Sequence, residues 1–350
     1  MNKRKQIKLP DFYWTIVIVL FLCSFTIHAS PAGGQKKNEL NSSQHNVLLL
    51  ISDDHGIDQL GCYGNEKIMT PHLDQLAKRG VRFSNAYCVS ASCSASRGVI
   101  LSGLFPHQNG QFGHQHNWHH FSYHKWVKSL PMLLKANGFH TGVIGKLHVA
   151  PTDQLPFDFT VPGKDIKGNR DVMTMAAKAG EFFNTKKDQP FFLLIGYSDP
   201  HRSAQGMSSM KNVENFSGFG NTEQYEGIVP TIYKPEDVSV PDFLPDEPEV
   251  REELADQYQS ITRMDTGIGS VIENLKKSGR YDETLIIYIS DNGIPFPGAK
   301  TTIYDSGVHL PMIINSPTIT KPGGVNNAMI SFIDLLPTIL DWTNTEGPEY

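Results

Sequence analysis

The chain has 350 residues, 39% hydrophobic and 19% charged, with a formal net charge of −5 and four cysteines. That is enough chain and enough apolar surface for one large α/β domain with a substantial core. The mild negative charge leaves no basic stripe, so nucleic acid is not an expected partner, and so few cysteines exclude a disulfide-held scaffold.

At the start, Lys3, Arg4, Lys5 and Lys8 precede an apolar run at 14–25 that gives way to small and polar residues near Ala29 and Ser30. The pattern reads as a secretory signal peptide over residues 1–29. The run falls short of the roughly 20 residues of a spanning helix. A lipid on Cys23 and an uncleaved anchor are the alternatives, although Leu22 is larger than lipidation sites prefer. In every case the domain is exported: periplasmic, secreted or surface-associated. Residues 30–45, rich in Gly, Lys, Asn, Ser and Gln, read as a flexible linker, and residues 46–350 as one folded domain.

The first core strand is predicted at 46–52 (NVLLLIS), a continuous apolar run that fits a strand buried on both faces of a largely parallel sheet. It runs into Asp53-Asp54-His55-Gly56. Two adjacent carboxylates at the end of a buried strand are costly unless a cation neutralises them, and a divalent metal is the economical explanation. Thr70-Pro71 then signals a helix start and Gly80 a stop.

Next comes the stretch 88–110, where Cys93 and Arg97 stand four positions apart at the start of a helix-competent run. A helix N-terminus attracts anions and Arg97 adds a fork of donors suited to an oxyanion. A nucleophile beside an anion site is the chemistry this implies. A His-rich stretch follows, with His114, His116, His119 and His120 around Trp118. Its spacing invites zinc, but no matching carboxylate or cysteine accompanies it, and a pocket-wall loop is the preferred reading.

Ser129 and Pro131 open a helix that closes at Asn137-Gly138, and a second apolar strand at 140–144 ends in Gly145-Lys146-Leu147-His148. Alternation puts Lys146 and His148 on one side. A helix at 172–184 precedes a third buried strand, 191–197 (FFLLIGY), which ends in Ser198-Asp199-Pro200-His201-Arg202. Residues 205–248 form a long loop, read as substrate-side. A long helix with Leu254, Tyr258, Ile261, Ile268, Ile272 and Leu275 near one face ends at Gly279. The fourth strand, 284–290 (TLIIYIS), runs into Asp291-Asn292-Gly293, and Lys300 lies in the loop beyond. Asp and Asn together offer hard oxygen ligands of the kind calcium takes. A strand at 311–315 and a helix at 333–342 complete the reading. Four strand ends that each carry acids, bases or cations match the rule that ligands bind beyond the carboxyl ends of strands in open α/β sheets.

The run C-x-A-x-R at 93–97, followed by GVILSGLFPHQNG at 98–110, resembles the signature of the type I sulfatases of the alkaline-phosphatase-like superfamily. Residues 106–146 look most like the heparan N-sulfatases, or sulfamidases. The departure is Ala95, where the commoner signature has Pro; the Ala form also occurs in the family. The resemblance covers residues 46–342 and implies a mostly parallel sheet flanked by helices, the larger part of the family fold. The smaller C-terminal subdomain of the family is not found before Tyr350, so the catalytic domain is expected to be C-terminally incomplete.

The resemblance further implies that Cys93 is oxidised to formylglycine by a maturing enzyme, and that Asp53, Asp54, Asp291 and Asn292 hold one calcium ion that the modified Cys93 also touches. Arg97, Lys146 and Lys300 would grip sulfate oxygens, His148 would serve the aldehyde hydrate and His201 would protonate the leaving group. Arg202 and the histidine loop would contact the sugar. The implied reaction is hydrolysis of sulfate esters or sulfamates of sugars, N-sulfoglucosamine of heparin or heparan-type glycans foremost. A phosphate or phosphonate ester hydrolase of the same superfamily and a non-catalytic chain are the alternatives. Cys62 and Cys88 remain, paired or not.

Overall fold

A computed structural model describes residues 45–116, 118–202, 218–319 and 321–349. The segments read as a signal peptide and, but for His45, as a linker lie outside the described residues, as does much of the first part of the long loop, 203–217. No helix of the described residues is long and apolar enough to cross a membrane.

The elements follow in chain order: β1 (Asn46–Ser52), α1 (Pro71–Arg79), β2 (Val81–Tyr87), α2 (Cys93–Ser102), α3 (Pro106–Asn109), α4 (Leu130–Ala136), β3 (His140–Gly145) and β4 (Phe159–Val161). Then come α5 (Val172–Asn184), β5 (Phe191–Gly196), α6 (Pro248–Lys277), β6 (Thr284–Ser290), α7 (Asp305–Val308), β7 (Met312–Asn315), β8 (Gly324–Ser331) and α8 (Leu335–Trp342).

The strands form one sheet in the order β4-β3-β5-β1-β6-β7-β2-β8. The first five are mutually parallel, β7 is antiparallel to β6 and to β2, and β8 returns parallel to β2. The apolar runs at 46–52, 191–197 and 284–290 form the adjacent strands β1, β5 and β6, and all residues of these strands are buried, as read for the first of them on both faces. Period two explains why they read as unbroken. On β1, Val47, Leu49 and Ile51 enter one core layer, with α2, α4 and α8 through Ile100, Leu134 and Ile339. Leu48 and Leu50 enter the opposite layer, with α1, α5 and α6 through Leu73, Phe182 and Ile268. Full burial of each such side chain contributes roughly 1.5–3 kcal/mol.

Helix α6 is long enough to do two jobs. Its later half covers the sheet through Met264, Ile268 and Val271, while Leu254, Tyr258 and Ile261 pack under the loop residues Phe219, Val238 and Leu244. The described part of the long loop is thereby seated largely on α6. Cys62, Cys88 and Cys93 are all free thiols.

Candidate active site

The register of β1 against β6 pairs Ser52 with Ser290, so the next residues of both strands, Asp53-Asp54 and Asp291-Asn292, emerge side by side. All four are completely buried. Asp54 adopts φ 64°, a left-handed backbone unusual for a side-chain-bearing residue and common at functional turns. That turn brings its N–H to Asp291 Oδ1 (3.2 Å) and lets Asn292 Nδ2 donate to Asp54 Oδ1 (2.7 Å).

Neighbouring strands add the rest. β5 lies beside β1, and the Asp53 N–H donates to the Asp199 carbonyl (3.2 Å), which sets His201 Nε2 3.9 Å from Asp54 Oδ2. β3 lies beside β5 and delivers Lys146, whose ammonium pairs with Asp53 Oδ2. Gly145 precedes it at φ 85°, where a side chain would strike the Gly196 backbone. His148, also left-handed at φ 58°, is held from below as its carbonyl accepts the Ser94 hydroxyl (2.7 Å). Lys300 reaches in from the loop after β6 to Asp54 (2.7 Å), and the Thr301 N–H anchors that loop to the Ala91 carbonyl (2.8 Å).

Helix α2 points its first residue, Cys93, into this floor. Arg97 is 1% exposed; it donates Nε to Asp291 Oδ2 (2.7 Å) and Nη1 to the Lys146 carbonyl (2.8 Å). Three carboxylates therefore meet three permanent cations.

Charge and burial set the protonation states. Burial works to raise the Asp53 pKa, but Lys146, followed by His201, Lys300 and Arg97, holds it well below the usual range. Burial, and then the Asp53 charge, pushes Asp291 up to about 7. The Cys93 thiol is pushed up to about 12 by burial, with Asp53, Asp291 and Asp54 adding to the effect and Lys146 opposing it. An unmodified Cys93 is thus a thiol at neutral pH, not a thiolate nucleophile. Burial, then Lys146 and Arg97, lowers His148 to about 2, so its imidazole is neutral. Burial also lowers His201, with Asp53 and Asp54 opposing.

Above this floor opens a cavity of about 830 Å³, with His114, Gln115 and His116 on one wall and Lys167, Arg170 and Glu223 on another. The structure brings Asp53, Cys93, Lys146, His148, His201 and Lys300 to the cavity lining, and Arg97, Asp54, Asp291 and Asn292 directly beneath it. Arg202 stands apart: it pairs with Glu253 of α6 and lies over the rings of Phe219 and Phe296 (5.2 and 5.6 Å), and it is not among the lining residues.

Arg170 and Arg263 were not legible as site residues. Both bind the Asp199 carboxylate, and Arg170 Nη2 also donates to the His201 carbonyl (2.6 Å). The signal for Asp199 was present, a lone acid at a buried strand end; its two partners sit elsewhere and carry none.

A family model described as Sulfatase matches residues 45–345. The chain belongs to the sulfatase family. Human N-sulphoglucosamine sulphohydrolase is 42% identical over 313 residues, which is 87% of this chain and 62% of the human protein. The chain thus spans less than two thirds of that relative's length. An N-acetylglucosamine-6-O-sulfatase of Bacteroides thetaiotaomicron is 27% identical over 406 residues, 91% of this chain and 71% of that one.

Among solved structures, one in complex with its substrate D-glucosamine-2-N,6-O-disulfate has a TM-score of 0.66 at 22% identity, covering 88% of this chain and 78% of that one. The phosphonate monoester hydrolase of Agrobacterium radiobacter has a TM-score of 0.62 at 20% identity, covering 86% and 74%. These likenesses establish the alkaline-phosphatase-like fold of this sulfatase chain, with a mostly parallel sheet between helices.

Proposed function

We propose that this sulfatase hydrolyses the N-linked sulfate of glucosamine in heparin or heparan-type saccharides, outside the cytoplasm. The observation that carries the reaction class is the cavity floor, where a buried Cys93 at a helix start meets four strand-end oxygen donors and three cations. The 42% identity to human N-sulphoglucosamine sulphohydrolase supports the substrate.

The donor set fits a hard dication. Asp53 Oδ1 and Asn292 Oδ1 are buried without a hydrogen-bond partner, and carboxylate and amide oxygens are what calcium takes. Asp53, Asp54, Asp291 and Asn292 would hold it. A calcium ion would lower the pKa of a coordinated hydroxyl, and Cys93 oxidised to formylglycine would supply a hydrated aldehyde as that hydroxyl's source.

The remaining work falls to the chain. Asp53, Asp54 and Asp291, once all ionised, balance Lys146, Lys300 and Arg97, so a dication held there would leave the floor positive and favour an anion. Lys146 and Lys300 then turn from their carboxylates toward the sulfate oxygens, while Arg97 stays fixed between Asp291 and the Lys146 carbonyl. His148, its imidazole neutral, would hold the second hydroxyl of the aldehyde hydrate as a hydrogen-bond acceptor. His201, on the opposite strand end, donates one to the leaving nitrogen. In sum the S–N bond breaks, sulfate takes the oxygen of water and the amine leaves protonated.

Two measurements test this. The tryptic peptide 83–97 from protein made in its own host should carry formylglycine at Cys93, and the purified protein should release sulfate from N-sulfoglucosamine. Turnover of an O-sulfated sugar with none of N-sulfoglucosamine would remove the substrate assignment. An unmodified thiol with aryl phosphate cleaved faster than aryl sulfate would move the chain to the phosphate or phosphonate hydrolases.

A further inference from the structure

One wall of the cavity is built of imidazoles. His114 and His116 come from the loop after α3, and His148 from the turn after β3. Their ring centroids lie 5.3 Å (His114 to His148), 4.9 Å (His116 to His148) and 5.1 Å (His114 to His116) apart, with interplanar angles of 14°, 8° and 16°. One nitrogen from each lies within 4.8 Å of the other two.

Stacking accounts for the ring faces but not for the in-plane nitrogens. His114 Nδ1 and both nitrogens of His148 are buried with no hydrogen-bond partner. The proposed hydrolysis uses one nitrogen of His148, which leaves two orphaned. Buried polar atoms without partners are rare and call for an explanation. In sequence no matching carboxylate or cysteine accompanies the histidine loop; the fold brings a third imidazole to it from a position 32 residues beyond His116.

We propose that His114, His116 and His148 form a second cation site, selective for a divalent transition metal that favours imidazole, with zinc as the type. It is distinct from the oxygen site of Asp53, Asp54, Asp291 and Asn292, and hard calcium has no affinity for three nitrogens. At His114 and His148 burial first, then nearby charges (His116 and Lys300 at His114, Lys146 and Arg97 at His148), disfavours protonation, and neutral imidazole is the ligating form. Metal–nitrogen bonds of about 2.0–2.1 Å require the nitrogens to close to about 3.4 Å. His116 is exposed and on a loop, so its side chain has room to move toward the other two, and His114 shares that loop. A metal bound there withdraws His148 from Cys93, so the site is inhibitory; this consequence, unlike the site itself, rests on the functional proposal.

The test uses the full chain in excess calcium with Co2+ as the spectroscopic probe. One equivalent should bind with the visible bands of a nitrogen-rich, low-coordinate ion, and Zn2+ should displace it. His116→Ala and His114→Ala should each weaken binding at least tenfold, with the unfolding midpoint of His116→Ala unchanged. Binding that survives both substitutions, that appears only without calcium, or that shows sulfur-to-cobalt charge transfer overturns the site. Zinc should also slow sulfate release in the calcium-loaded enzyme and spare His116→Ala relative to its own metal-free rate; equal inhibition of both overturns the inhibitory role.

Discussion

Arg97 shows what a single side chain does in this site. Its guanidinium is the buried counter-charge of Asp291, and removing it leaves a carboxylate with nowhere to go. Arg97→Ala should cost about 3–5 kcal/mol by denaturant unfolding at pH 8, and less at pH 6, where Asp291, already raised to about 7, takes up a proton. His201 makes a different prediction. If it protonates the leaving atom, His201→Ala should lose roughly 10²–10⁴-fold in kcat on a sugar sulfamate and far less on an aryl sulfate whose phenolate leaves unaided. Equal losses on both substrates would remove the acid role.

Most site residues were legible one by one, because each stands where an apolar run stops. Arg202 was not placed by that logic: it follows His201 directly, yet its direction is decided by Glu253 and two rings that only the fold brings near. Direction, unlike position, is a tertiary property. Arg170 escaped for the complementary reason, since it precedes a helix cap instead of following a strand.

At the scale of elements, Thr70 occupies the N-cap position of α1 as its sequence implied, but its hydroxyl accepts from Gly61 N and donates to Asp74. The cap comes instead from α6: Asp265 accepts the His72 and Leu73 N–H groups (3.1 and 2.8 Å). Burial pushes that carboxyl up to about 7 against those two bonds. The unfolded chain ionises Asp265 from about pH 4, whereas the folded chain keeps its proton to about 7. Its contribution is therefore complete below about pH 4 and lost as pH rises to about 7, by about 4 kcal/mol in all. Asp265→Asn should flatten the stability profile across that window; an unchanged slope would show that another group sets it. Strand β8 was invisible in sequence because it is an edge: Asn326, Asn327 and Met329 are exposed and leave no apolar run.

For the molecule as a whole, four strand ends were readable but their order was not. Nothing local says that β7 reverses or that β8 returns beside β2; pairing is decided by partners far along the chain. The same distance gives the oxygen site a mechanical role. Its donors follow β1 and β6, with Asp54 and Asp291 237 positions apart, so a bound dication would tie together distant parts of the chain. Calcium at a hundredfold excess over its Kd should add about 2.7 kcal/mol to stability, read as a raised unfolding midpoint that a chelator reverses and Asn292→Ala abolishes.

Cys93 lies at 1% exposure beneath those same strand ends, at the first turn of a helix whose residues are all buried. An enzyme that oxidises it needs the segment extended and in hand, a state the folded domain does not offer. On the proposed formylglycine chemistry, maturation and folding would compete for each newly made chain, and the outcome would be permanent. A free peptide spanning residues 88–110 should be converted to the aldehyde, while folded thiol protein given the same enzyme should keep the mass of cysteine. On that chemistry the specific activity of a preparation would report how quickly its molecules closed, not how well they were built.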